Sequence, residues 1–257
     1  MTEPNGPASV REHYEVLLGE HYDWMVGRFD VVAREQSELL AGLLGRSGHE
    51  GRGALDLGCG TGVHTLALGA LGYGEVTCVD VSPTMLARLQ ENTRGHVVVD
   101  AVQADLDQGL PAAVRTASFD AAVCMGDSLT HLTDLDAVGR LLGDLLIALV
   151  PGGRLVLSFR DLTEPPRGTG RFIPVRSDAD TIMTCFLEDA SDHVQVHDLI
   201  HTRTAEGWAQ RISSYRKLKL APGVVARLMT SAGFEATQCI PGPRGVWVLV
   251  GQRPAAE

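Results

Sequence analysis

Apolar positions recur with two different rhythms along this 257-residue chain, and the change of rhythm divides it. Through the middle, short aliphatic runs at 54–57, 75–79, 97–103, 119–125 and 154–159 alternate with stretches of helical period at 63–71, 83–92 and 134–149. Runs this short, edged by glycine or acid, predict buried strands, and the longer periodic stretches predict the helices between them. Ser82-Pro83 opens the second helix with a capping hydroxyl and then a proline where no N–H is needed. Strand, helix and strand in repetition imply right-handed crossovers and a mostly parallel sheet.

Upstream, Val10, Tyr14, Leu17 and Leu18 share helical spacing within 8–20, a second helix is predicted over 31–44, and a glycine-rich loop at 45–53 leads into the first strand. After Arg160 the rhythm changes. Segments 171–176, 181–188, 193–203 and 208–219 are rich in β-branched residues, lack a helical period and are separated by polar turns. They predict a small antiparallel sheet inserted after strand five, over the crevice at the strand ends. A helix at 222–232 and strands at 235–240 and 245–251 complete the main sheet. The expected fold is α/β: a Rossmann-like, seven-stranded, mostly parallel sheet with helices on both faces, plus the antiparallel insertion. We expect one domain over 1–257, with a helical lid at about 8–45, a core at 54–160, the insertion at about 165–219 and a closing helix and strand pair at 222–251.

Charge and cysteine usage narrow the partners. The net charge is −10 with no basic cluster, which argues against nucleic acid. No apolar stretch reaches the ~20 residues of a membrane span, and the N-terminus has no signal-like apolar region. The five cysteines are scattered and form no C-x-x-C pair, so a reduced, cytoplasmic protein is expected. Association of subunits is left open, a homodimer included.

The candidate chemistry centres on Ala54-Leu55-Asp56-Leu57-Gly58-Cys59-Gly60-Thr61-Gly62. Glycines at alternate positions let backbone approach a ligand closely. The next strand ends in Asp80, where an α/β sheet places a carboxylate for ribose hydroxyls. Together they point to a nucleoside-bearing cofactor. A dinucleotide turn spaces its third glycine one residue later, and Asp56 would repel a pyrophosphate but could orient an ammonium.

With ALDLGCGTG at 54–62, VTCVD at 76–80, QAD at 103–105, FDAAVCMGDSLTHL at 119–132 and LVPGGRLVLSF at 149–159, the chain resembles the class I S-adenosylmethionine-dependent methyltransferases. The resemblance implies S-adenosyl-L-methionine as cofactor. It places Gly58, Gly60 and Gly62 against the methionine part, Asp80 on the ribose, and Asp105, Leu106 and Met85 at the adenine, with Cys59 and Val81 among the cofactor residues. Tyr22, Asp56, Met125 and Gly126 complete the expected cofactor set. A finer resemblance, to the glycine and sarcosine N-methyltransferase branch, rests on Gly126-Asp127-Ser128-Leu129-Thr130-His131-Leu132, on Arg160 after strand five, on Ser214-Tyr215 and on the aromatic segment 22–27. It implies that Arg160 grips a substrate carboxylate. Asp127 stands where that branch has asparagine, and the branch's N-terminal arginine has no clear counterpart, Arg28 being a candidate.

The expected reaction is methyl transfer to a small molecule, with the nitrogen of a carboxylate-bearing amine favoured. Asp127 and His131 are expected to accept a proton and aim the nitrogen, and Arg160, Tyr215 and His197 to contact the substrate. The alternative is O-methylation of a phenol or carboxylic acid; a nicotinamide dehydrogenase and a cofactor-binding protein without turnover are further readings. A bland role stands beside each residue: helix core for Met85, a helix cap for Asp127 or His131, a surface ion pair for Arg160. His193, His197 and His201 suggest a metal, but strand spacing sets residues four apart roughly 13 Å from each other, so no metal is expected.

Overall fold

The computed structural model describes residues 9–45, 52–116 and 119–255. Its main sheet holds seven strands: β1 (Gly53–Leu57), β2 (Glu75–Asp80), β3 (Val98–Gln103), β4 (Phe119–Cys124), β5 (Leu149–Phe159), β10 (Glu235–Pro241) and β11 (Trp247–Gln252). Their order is β10-β11-β5-β4-β1-β2-β3. The pairs among β1 to β5 are parallel, and β11 runs antiparallel to both β5 and β10. Strand five starts earlier than expected because Pro151-Gly152-Gly153 remains within it as a register shift against β4.

The order reverses between β1 and β4, so the carboxyl ends of these strands open a crevice where such sheets take ligands. Helices α4 (Val63–Ala70), α5 (Pro83–Thr93), α6 (Ala112–Arg115), α7 (Leu135–Ala148) and α8 (Pro222–Ala232) form the crossovers and close the sheet. Side chains cap two of them: Ser82 Oγ accepts the Met85 N–H at 3.1 Å, and Asp134 Oδ1 accepts that of Ala137 at 2.7 Å. Cores form on both faces of the sheet, one around Leu57, Leu141 and Phe159, the other around Leu40, Leu68 and Val123.

The insertion is a four-stranded antiparallel sheet, β6 (Phe172–Ser177), β7 (Thr181–Asp189), β8 (His193–Thr204) and β9 (Gly207–Leu218), in that order. The N-terminal segment fits one regular helix only in part. Helix α1 (Val10–His13) widens into a π-helical turn, Tyr14–Leu18, and then breaks. Helices α2 (Tyr22–Val26) and α3 (Phe29–Leu44) follow, the first of them missed by periodicity because it is only five residues long.

This segment straps the two sheets together. Leu17 and Leu18 pack with Met183 and Ile200 of the insertion. Glu15 receives the Ser82 hydroxyl on Oε1 and that of Thr84 on Oε2 at 2.6 Å, which ties the strap to the start of α5. On the other side Trp24 Nε1 donates to Asp178 at 2.5 Å, and Arg211 reaches Glu20 and the Val16 carbonyl.

Candidate active site

Between strap, main sheet and insertion lies a cavity of about 1520 Å³. One half is built on the turn after β1. The N–H groups of Gly58 and Cys59 donate to the Val79 carbonyl at 2.8 and 3.2 Å, which locks the turn to the end of β2. Asp80 holds the turn from the other side, accepting the Gly60 N–H at 2.9 Å and the Ser82 N–H at 2.9 Å. Burial raises its carboxyl, while these backbone donors work in the opposite sense.

Gly58 and Gly60 have φ of 61° and 52°, and both line the cavity. A Cβ on Gly58 would stand 2.6 Å from that of Ser128, and one on Gly60 would stand 3.3 Å from the Tyr22 hydroxyl. Bare backbone facing an open chamber, roofed by a tyrosine and flanked by a carboxylate, suits a nucleoside with a flexible polar tail. Tyr22 stays a neutral phenol, because burial and nearby Asp80 push its pKa far up. Val81, Asp105, Leu106, Met125 and Gly126 extend the same wall. Asp105 also caps a short 3₁₀ turn, accepting the Asp107 N–H at 3.0 Å.

Several expected cofactor residues do not line this wall. Asp56 is buried behind the turn, where Thr65 Oγ1 donates to Oδ2 at 2.6 Å and Oδ1 finds no partner among the described residues. Burial pushes its carboxyl up to about 7, so its task is inside the fold rather than at a ligand ammonium. Met85 is fully buried on α5, in keeping with its helix-core reading. Gly62 gives room for close packing: a Cβ there would meet Leu89 Cδ1 at 2.6 Å. Arg28 points to solvent and pairs with Asp30 at 3.0 Å.

The other half of the cavity lies under the insertion. Asp127 accepts the backbone N–H of Arg160 at 2.9 Å, its side chain at 2.5 Å and the ammonium of Lys217 at 2.8 Å. Burial would raise its carboxyl, but Lys217 and Arg160 outweigh that and hold it well below the usual carboxylate range. His131 is held neutral, its pKa lowered to about 3 by burial first and then by Lys217. Neither group is therefore a proton acceptor of useful strength, which corrects that expectation. Arg160 lines the cavity with its guanidinium paired to Asp127.

Tyr215 lines the chamber beside His131, ring centroids 5.4 Å apart. His197 does not. It is on the opposite face of β8, with Nδ1 at 2.7 Å from Ser214 Oγ and Nε2 at 2.7 Å from Glu188. His193 and His201 have partners of their own, Asp192 and Gln210.

Two wall residues escaped sequence reading. Lys217 was hidden because its role depends on β9 lying across from the loop after β4. Asp198 had a local signal: Val194, Val196 and Ile200 alternate with polar residues along β8, and Asp198 falls in their phase.

Residues 54–153 match a family described as a methyltransferase domain. This match and the relatives below support a likeness to the class I S-adenosylmethionine-dependent methyltransferases, which implies S-adenosyl-L-methionine as cofactor. Among curated relatives it is similar to glycine/sarcosine N-methyltransferase of Parasynechococcus marenigrum, 31% identical over 167 residues, which are 60% of this chain and 55% of that protein. It is also 37% identical over 111 residues to a ubiquinone biosynthesis O-methyltransferase of Xanthomonas campestris, covering 42% of this chain and 43% of the relative. The chain thus spans about half the length of the curated relatives it matches. The fold agrees with the CcbJ methyltransferase of Streptomyces caelestis, with a TM-score of 0.75 at 19% identity over 98% of this chain and all of that one. Among the described residues no helix is long and apolar enough to cross a membrane.

Proposed function

We propose that this protein methylates the amine nitrogen of a small molecule that also carries an anionic group. The observation that supports it most is the state of Asp127 and His131. A hydroxyl acceptor must shed its proton to become a good nucleophile, and a base near neutrality is needed for that. Here the loop after β4 offers a carboxylate neutralised by two cations and an imidazole with a pKa of about 3. An amine needs no such base, since it can lose its proton to water and attack through its lone pair.

Gly58, Cys59, Gly60 and Tyr22 would hold the methionine part of S-adenosyl-L-methionine, Asp80 and Val81 the ribose, and Asp105 and Leu106 the adenine, with Met125 and Gly126 at the floor. That cofactor supplies an electrophilic methyl sulfonium when bound. The chain's part is to position the acceptor and keep water out. Arg160 and Lys217 carry two positive charges against the single carboxylate of Asp127, so one charge remains for an acceptor's carboxylate. His131 and Tyr215 form the wall against which the nitrogen is aimed.

A methyl-transfer screen tests this, using amino acids, other amines, phenols and carboxylic acids, read as S-adenosylhomocysteine release with the methyl located by NMR. N-methylation of carboxylate-bearing amines is expected. Turnover of phenols without amines would overturn the reading. Arg160→Ala should raise KM for such amines at least tenfold, and an unchanged KM would remove the anion-binding role.

A further inference from the structure

Of the carboxylates on the cavity wall that this reading leaves unused, Asp198 is the buried one among the described residues. Asp198 lies at the middle of β8 with a side chain only 4% exposed, yet it lines the acceptor half of the cavity. Its one ion-pair partner among the described residues is His13, whose Nε2 is 3.1 Å from Oδ2. Asp127, by contrast, is met by both an arginine and a lysine.

A chain of ring contacts leads from His13, the partner of this carboxylate. His13 stacks on Tyr215 at 4.2 Å between centroids, and Tyr215 is 5.4 Å from His131. Tyr14 meets His131 edge-on at 6.0 Å and His13 edge-on at 5.8 Å. His131 Nδ1 and His13 Nδ1 are both buried without a hydrogen-bond partner among the described residues, which costs free energy unless function or a ligand justifies it. A buried carboxylate with no lysine or arginine partner among the described residues, opening on a ring-lined chamber, matches an organic amine in both charge and shape.

We infer that Asp198 is the residue that binds the acceptor nitrogen, accepting an N–H hydrogen bond from it while the surrounding rings pack on its carbon substituents. The inference rests on the amine reading above and gives it a specificity determinant. An N–H held by Asp198 fixes the direction of the nitrogen's lone pair, and this aims the acceptor without a base. His13 is a positioning residue: it holds the carboxylate in place from the strap.

The test is a titration that does not depend on turnover. The protein loaded with S-adenosylhomocysteine is titrated with methylammonium chloride, which donates N–H bonds, and with tetramethylammonium chloride, which has the charge and none of the donors. Ligand-observed NMR reads the binding. Methylammonium should bind the wild type at least tenfold more tightly than tetramethylammonium. Asp198→Asn should weaken methylammonium roughly tenfold or more, with S-adenosylhomocysteine affinity kept within about twofold. Equal binding of the two cations by the wild type would overturn the inference, and so would full methylammonium affinity in Asp198→Asn. The comparison of the two cations in the wild type decides even where the variant fails to fold. An acceptor screen giving O-methylated products alone would refute the amine reading, and the titration would still judge Asp198 separately.

Discussion

Replacing Gly58 by alanine separates the two demands that the turn after β1 places on its glycines. At φ of 61° a Cβ costs about 1–2 kcal/mol from contact with its own backbone. The same atom would stand 2.6 Å from the Ser128 Cβ, and overpacking of that kind costs a further ~1–3 kcal/mol. The sum, about 2–5 kcal/mol, lowers the melting temperature by roughly 5–15 °C in a chain of this size. Gly60→Ala has a similar φ, 52°, but its Cβ would meet nothing nearer than the Tyr22 hydroxyl at 3.3 Å. It should lose only roughly 2–8 °C, with the larger damage falling on S-adenosylhomocysteine affinity, about tenfold or more, because the methyl enters the cavity. Adding Ser128→Gly to Gly58→Ala should restore the overlap part and leave the backbone part. Scanning calorimetry and isothermal titration measure both quantities. Equal losses of melting temperature in the two alanine variants, or no recovery in the double variant, would refute this account of the turn.

Other consequences follow from the charges. Lys217→Met should destabilise the protein by about 2 kcal/mol in urea unfolding, because a nearly buried Asp127 keeps only Arg160, and Asp127→Asn in the same background should cost less than the two changes summed. Asp56, pushed up to about 7, favours the folded state fully below about pH 4, and this contribution is lost as pH rises towards 7; Asp56→Asn should remove that fall, read as melting temperature against pH without cofactor. Asp127 acts in the opposite sense: its contribution is present above about pH 4 and is lost as pH falls below the ordinary carboxylate range. Since His131 is neutral down to about pH 3, a pH–rate profile above pH 5 should carry no inflection from it, and the acid limb should move with the pKa of the acceptor amine when acceptors are exchanged.

The main sheet was legible because its central strands, such as β1 and β4, are buried on both faces and its helices are capped by local residues such as Ser82 and Asp134. The half of the cavity built on the turn after β1 was legible for a similar reason: the turn at 58–62 and Asp80 are positioned by neighbours in sequence. The half under the insertion depends on chain segments far apart. Asp127 looked like a base until Arg160 and Lys217, 33 and 90 residues away, were seen to hold it. His197 was placed on the wrong face of its strand, although the alternation of Val194, Val196 and Ile200 was already visible. Gly62, in a family motif, and Met85, on α5, occupy positions that serve packing here. The partnership of His13 with Asp198 spans 185 residues and leaves no local trace.

The strap has a kinetic consequence. Tyr22 covers the turn while Glu15 ties the same segment to the start of α5 and Trp24 ties it to Asp178 beyond β6. Under the proposed function, release of the demethylated cofactor should therefore limit turnover at saturating acceptor, and a burst of methylated product ahead of the steady rate is the expected sign.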